Sequence, residues 1–199
     1  MEFRNRIKKE MTEGIVRAIL DDAGYRVIGS GIENVVRELA CLSALEYAGL
    51  DFPKAMRTLP DLTVMDREQR CKYLVEIKYR GGWSSQLLRE IEAQARLYQE
   101  IVLVYLNGNP VLNGNIEPSA SSYLRCCRLR INPETEVYEA ELNHYNELCW
   151  LPVDDIGDHA GQWWSLQLMQ RVFPLLEQRK EDNTLVSAIN ALRGILGPA

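Results

Sequence analysis

Three residues in the first half of the chain carry the chemistry worth testing: Asp61, which follows Pro60, and Glu76 and Lys78 on either side of Ile77. On an extended strand, residues two apart point to the same side, so Glu76 and Lys78 share a face. Carboxylates are hard oxygen ligands. A pair of them suits a divalent cation that keeps several of its waters, as Mg2+ does, with Mn2+ an alternative. Such a cation polarises a phosphoryl oxygen and lowers the pKa of a bound water. A lysine alongside orients that water or offsets charge developing on the phosphate. If Asp61 reaches the other two, the chemistry is phosphodiester hydrolysis. Each residue also has an ordinary reading, Asp61 as a turn residue after proline and Glu76 with Lys78 as a solvated strand pair. The surrounding elements decide between the two.

Those elements are unusually legible here. Residues 62–65 and 71–80 are β-prone runs around the polar turn 66–70, which predicts an antiparallel hairpin. In the second run Tyr73, Val75, Ile77 and Tyr79 share one face, and Leu74, Glu76, Lys78 and Arg80 the other. Upstream, Thr12 is expected to cap a helix carrying Ile15, Val16, Ile19 and Leu20 and stopped by Gly24. A short strand at 25–28 and a second helical stretch with Val35, Val36, Leu39, Leu42 and Leu45 follow. Downstream, Ser84 or Ser85 is expected to cap a helix to about Gln99, with Leu88, Ile91, Ala95 and Tyr98 at helical spacing. Residues 101–106 are apolar on both faces, which predicts a central strand. Residues 123–131 and 137–142 read as a second strand pair. The spacing then predicts a helix over 162–178, kinked or split by Pro174, and a last helix capped by Asn183 or Thr184. The apolar surface of these C-terminal helices either covers the sheet of the same chain or forms a homodimer interface.

The chain has 199 residues, which suits a single domain over 1–199. Its 23 basic and 28 acidic residues leave a charge of −5, which argues against coating nucleic acid or anionic membrane by bulk charge but leaves room for a local basic groove. No apolar run approaches the roughly 18 residues that would span a bilayer, and the first ten residues lack the apolar centre of a signal peptide. Five cysteines without a C-x-x-C pair read as reduced thiols packed as small hydrophobes, which with the missing export signal points to a cytoplasmic protein. His144 and His159 lack the spacing of zinc ligands and read as surface or loop residues.

Pro60-Asp61 and Glu76-x-Lys78, set in the order helix, strand, strand, strand, helix, strand, resemble the PD-(D/E)XK nuclease superfamily. The resemblance covers residues 12–106 and implies an α/β protein with a restriction-endonuclease-like core: a central mixed β-sheet flanked by helices. Residues 107–199 would then add strands and a C-terminal helical appendage. The resemblance further implies a Mg2+-dependent deoxyribonuclease, with Asp61 and Glu76 as metal ligands and Lys78 as the catalytic lysine. Many members add a glutamate from the first helix; Glu13 is the candidate and Glu38 the runner-up. Gln94 and Tyr98 resemble the Q-x-x-x-Y motif of the RecB-like branch, which faces the active site and DNA. A catalytically inactive relative, acting as a DNA-binding or assembly module, is the alternative.

For DNA contacts the sequence offers Arg67, Arg70, Lys72, Arg80, Arg89 and Arg96 near the motif, and Arg125, Arg128 and Arg130 as a row along a later strand. Trp83, beside Gly81-Gly82, is placed to stack on an unpaired base.

Overall fold

The computed structural model describes residues 3–32, 49–50, 52–108, 120–145, 147–178, 187–188 and 190–191. The expected second helical stretch, including Glu38, lies outside the described residues, as does most of the last helix; helix is recorded at 187–188 and 190–191.

Helix α1 (Phe3–Asp22) begins well before Thr12. Thr12 is buried inside the helix, where its hydroxyl donates to the Lys8 carbonyl at 2.7 Å, so it does not cap. The buried stripe Thr12, Val16, Ile19, Leu20 and Ala23 follows one helix face, and that periodicity carries back to Lys8. The stop at Gly24 is as expected. With φ of 95°, Gly24 lets its own N–H reach Asp21 and the Tyr25 N–H reach Leu20, closing the last turn.

Seven strands form one mixed sheet in chain order: β1 (Arg26–Gly29), β2 (Leu62–Met65), β3 (Lys72–Arg80), β4 (Glu100–Asn107), β5 (Leu124–Ile131), β6 (Tyr138–His144) and β7 (Glu147–Pro152). The predicted hairpin is present, pairing Leu62 with Val75 and Met65 with Lys72. Every neighbouring pair is antiparallel except β3 and β4. A parallel pair needs a crossover, and between these two strands it is a helix. A one-turn helix, α2 (Lys54–Arg57), precedes β2, and α3 (Gln86–Tyr98) supplies the crossover. Ser85 stands at the α3 N-cap position, but its side chain makes no capping bond; its N–H instead donates to Asp158 at 2.8 Å. Strand β4 is central and buried along nearly its whole length, as its apolar sequence requires.

The alternation along β3 separates two cores as the sequence implied. On one face Val75 and Ile77 pack with Val16, Ile19 and Leu20 of α1; on the other Leu74 packs with Leu87, Leu88 and Ile91 of α3. The adjacent Cys126 and Cys127 are fully buried on opposite faces, as small hydrophobes, whereas Cys71 is exposed. His144 and His159 are exposed, as expected.

The C-terminal region departs from its predicted helix. Residues 162–178 are a 3-10 segment (Ala160–Ser165), an extended link, and the short helices α5 (Met169–Val172) and α6 (Leu175–Gln178); another single turn, α4 (Ala120–Tyr123), leads into β5. Strand β6 pairs with β5 only from Arg128 onward, which leaves the Cys126 backbone open at that edge. Gln167 fills the gap, exchanging backbone bonds with Cys126 at 2.9 and 2.8 Å. Its own side chain, 1% exposed, donates to the Glu141 carbonyl and carboxylate at 3.0 Å. The chain crosses the sheet edge here. Trp163 and Leu166 enter the α3-side core, and Met169, Val172 and Phe173 enter the α1-side core. The apolar residues thus cover the sheet of their own chain, and Ala188 of the last helix packs on the same core.

Candidate active site where β2 ends

Strand β2 starts at Leu62, opposite Val75, while β3 runs on to Arg80. One residue further along this register, Asp61 stands opposite Glu76. Its carbonyl accepts the Ser30 and Gly31 N–H groups at 3.0 and 3.3 Å, which ties it to the end of β1. Its carboxylate Oδ2 accepts the Ile77 N–H at 2.8 Å. This donor lies where β2 no longer pairs with β3, and a strand N–H left without an acceptor is costly. Asp61 is therefore held at the split between the two strands by backbone that needs it.

Glu76 lies on the α3 face of β3 and is 5% exposed. Both its oxygens are engaged: Lys78 Nζ stands 2.5 Å from Oε1, and Gln94 Nε2 donates to Oε2 at 2.8 Å. Spacing of two along β3 brings Lys78 over Glu76, and the α3 crossover brings Gln94 down onto it. Burial pushes the Asp61 carboxyl up to about 7, with Glu76 and then Glu13 adding repulsion; the Ile77 N–H and Lys9 pull the other way. Asp61 is therefore close enough to both Glu76 and Glu13 to feel their charges. Glu13 belongs to the middle of α1, not its first turn, and Lys9 Nζ stands 3.5 Å from its Oε1.

Among the described residues no group of three His, Cys, Asp or Glu side chains is gathered closely enough to hold a metal ion alone. Two hard carboxylates whose charges repel in a half-buried site are nonetheless a donor set that a divalent cation would relieve, with waters completing its shell.

The other expected residues are scattered. Tyr98 does not reach Glu76; its hydroxyl donates to the Ala55 carbonyl at 2.8 Å, anchoring α2 just ahead of Asp61. Arg80 pairs with Glu90 at 2.8 Å. Trp83 packs on Tyr105 with ring centroids 6.1 Å apart and donates to the Gly157 carbonyl at 3.2 Å, so the structure gives its indole partners within the chain. Arg89 reaches Asp154, and Arg96 pairs with Glu92. Arg67, Arg70 and Lys72 sit at the turn end of β3, and Lys72 is four residues, about 13 Å, from Glu76.

The expected arginine row also fails. Arg125 is an odd number of residues from Arg128 and Arg130, so it takes the opposite face. There it is 8% exposed, bonded to the Ser121 and Leu166 carbonyls. Arg130 is bound to Glu139 and lies over the Trp150 ring. Two cations missed by the sequence reading, Lys8 and Lys9, stand beside the site instead. The signal was the α1 stripe, which continues upstream of Thr12.

Comparison with known proteins finds no matching family model, no matching curated protein and no matching solved structure. No helix among the described residues is long and apolar enough to cross a membrane.

The elevated Asp61 carboxyl makes stability depend on pH. Its folded value lies above the ordinary aspartate value, so its contribution is fully present below about pH 4 and is lost as pH rises through about 7. Asp61→Asn keeps an acceptor for the Ile77 N–H but carries no charge. Urea unfolding of metal-free protein at about pH 5 and about pH 8 is expected to show the Asp61→Asn change stabilising the protein more at the higher pH. An equal effect at both would show that the Asp61 carboxyl is not raised in the folded protein.

Proposed function

We propose that this chain is a metal-dependent nuclease that hydrolyses DNA phosphodiester bonds, built on a restriction-endonuclease-like core of the PD-(D/E)XK type. One observation carries the reading: the Asp61 carboxylate, bonded to the Ile77 N–H, sits at the strand split beside Glu76, which in turn holds Lys78 and Gln94. Asp61 and Glu76, with Glu13 as a third carboxylate nearby, would hold Mg2+ or Mn2+. When bound, that ion would polarise the phosphoryl oxygen and make an attacking water more acidic. Lys78 supplies a positive charge for the attacking water or the developing phosphate charge. Gln94 fixes the orientation of Glu76 through its second oxygen. Tyr98 steadies the segment that delivers Asp61.

The second reading, an inactive nuclease-fold protein serving as a DNA-binding or assembly module, draws on a specific feature. Lys78 stands directly on Glu76 Oε1, and no three-ligand group is gathered among the described residues. Incubation of the protein with linear, single-stranded and branched DNA in Mg2+ or Mn2+ separates the two. Cleavage that EDTA abolishes is the expected result. Binding without cleavage of any of the three would leave the second reading in its place.

A further inference from the structure

Where β2 stops, the edge of β3 from Ile77 to Gly81 has no described strand beside it on that side, and α1 passes over the opening. The result is a cleft of about 550 Å3, within the size range of small-ligand pockets. Its polar lining comes from Lys8, Lys9, Thr12, Lys78, Tyr79 and Arg80, and among the described residues no carboxylate lines it. Lys8 and Lys9 of α1 line it beside the β3 residues Lys78 to Arg80, in a chain whose overall charge is −5; Lys78 and Arg80 alternate with Tyr79 and carry their charged ends to Glu76 and Glu90.

The positions of these cations are set by the fold. Lys8 Nζ lies 3.4 Å from the Tyr79 hydroxyl and 5.1 Å from the centre of its ring, so its ammonium stands over the β3 end of the cleft. Lys9 and Lys78 pair with Glu13 and Glu76, the same carboxylates that surround Asp61. Lys78 and Ile77 belong to the carboxylate site and to the cleft at once, so the two are continuous.

We infer that this cleft is a phosphate subsite that seats the backbone of a nucleic-acid strand next to the bond held at Asp61 and Glu76. The inference rests on the nuclease reading for the position of that bond, but the affinity of the cleft for phosphate does not depend on cleavage. Lysine ammoniums act as point charges on phosphate oxygens, without regard to base identity. The shared chemistry is a phosphate ester, and its source is either a strand or a free nucleotide.

The test is binding in EDTA, where no cleavage step is needed. A fluorescent oligothymidylate of about ten nucleotides, the span of a single-strand site, is titrated against the wild-type chain, Lys8→Glu and Lys72→Glu. Lys72 lies at the far end of β3 and carries the same change of charge. The expected result is at least a roughly tenfold weaker Kd for Lys8→Glu than for Lys72→Glu, and a salt dependence between about 50 and 200 mM shallower by about 0.7 in log–log slope, the loss of one single-strand phosphate contact. Circular dichroism confirms that both variants are folded. Equal weakening by the two substitutions would reduce the effect to bulk charge and overturn the inference, as would no saturable binding to the wild type. Thymidine monophosphate is the second arm. If it binds in a Lys8-dependent way while the oligonucleotide does not, the cleft serves a free nucleotide and the strand assignment falls. Lys8-dependent oligonucleotide binding by a protein that never cleaves DNA would refute the nuclease reading while leaving the subsite standing.

Discussion

Glu76→Gln is expected to lower Mg2+-dependent DNA cleavage by on the order of 10²–10⁴-fold while leaving the protein folded. Glu76 joins β3, Lys78 and α3 in the site. It is nearly fully buried on β3, it carries Lys78 on one oxygen and Gln94 on the other, and its charge adds to the burial that raises the Asp61 carboxyl. Glutamine keeps the shape and can still accept from Gln94, but it removes one of two charged metal ligands. It also leaves Lys78 without its ion-pair partner. With that negative charge gone, the Asp61 carboxyl returns toward its ordinary value, so the metal-free variant is expected to be no less stable than wild type near neutral pH. Loss of cleavage without loss of stability separates a catalytic role from a structural one. Lys78→Ala should also fall steeply, and here stability is expected to drop, because the buried Glu76 loses its cation. Cleavage undiminished in Glu76→Gln and Lys78→Ala would remove these residues from the chemistry altogether. Titration calorimetry with Mn2+ gives an independent reading, since Asp61→Asn and Glu76→Gln should each weaken metal binding.

The second large effect is on stability. Phe173→Ala is expected to cost about 3–5 kcal/mol, the range for truncating a buried aromatic. Phe173 is completely buried, and its ring meets Tyr25 and Tyr73 edge-on at 5.9 and 5.1 Å. Those two tyrosines come from the segment entering β1 and from β3, so Phe173 is where the C-terminal region closes the α1-side core. For a chain of this size the melting temperature should fall by roughly 6–20 °C. Leu168→Ala, five residues earlier but 37% exposed, should shift stability by less than about 1 kcal/mol. Chemical denaturation of both variants checks this. Similar small effects from the two would mean that the C-terminal region does not pack on the sheet.

The placement of Phe173 marks a boundary in what sequence patterns convey. The Trp163 to Leu176 region has the apolar content of a long helix, and helical spacing predicts one. The chain instead breaks at Gln167, because a vacant strand edge at Cys126 offers backbone partners and because apolar residues on both sides can fill two different cores. Neither fact is local. Strand β7 was missed for a related reason: its residues are half-exposed and carry no strict alternation. The start of α1 was misplaced because Thr12 has the residue type of a cap, yet its hydroxyl finds the Lys8 carbonyl inside the helix.

What the sequence determined by itself is the part governed by short period. Alternation along β3 put Glu76 and Lys78 on one face and Val75 and Ile77 on the other, because successive strand side chains must point oppositely. The polar turn 66–70 fixed the hairpin, the wholly apolar run 101–106 fixed the central strand, and Gly24 fixed the end of α1. Those local rules are enough to bring Asp61 near Glu76, since a hairpin register is set within a few residues of its turn. Only the tertiary structure decided which cations stand beside the carboxylates. Arg67 and Arg70 are near Glu76 in sequence but lie at the other end of the hairpin, while Lys8 and Lys9 are almost seventy residues away along the chain and line the adjoining cleft. That choice depends on how α1 lies across the edge that β2 leaves open, and the packing of Val16, Ile19 and Leu20 against Val75 and Ile77 sets it.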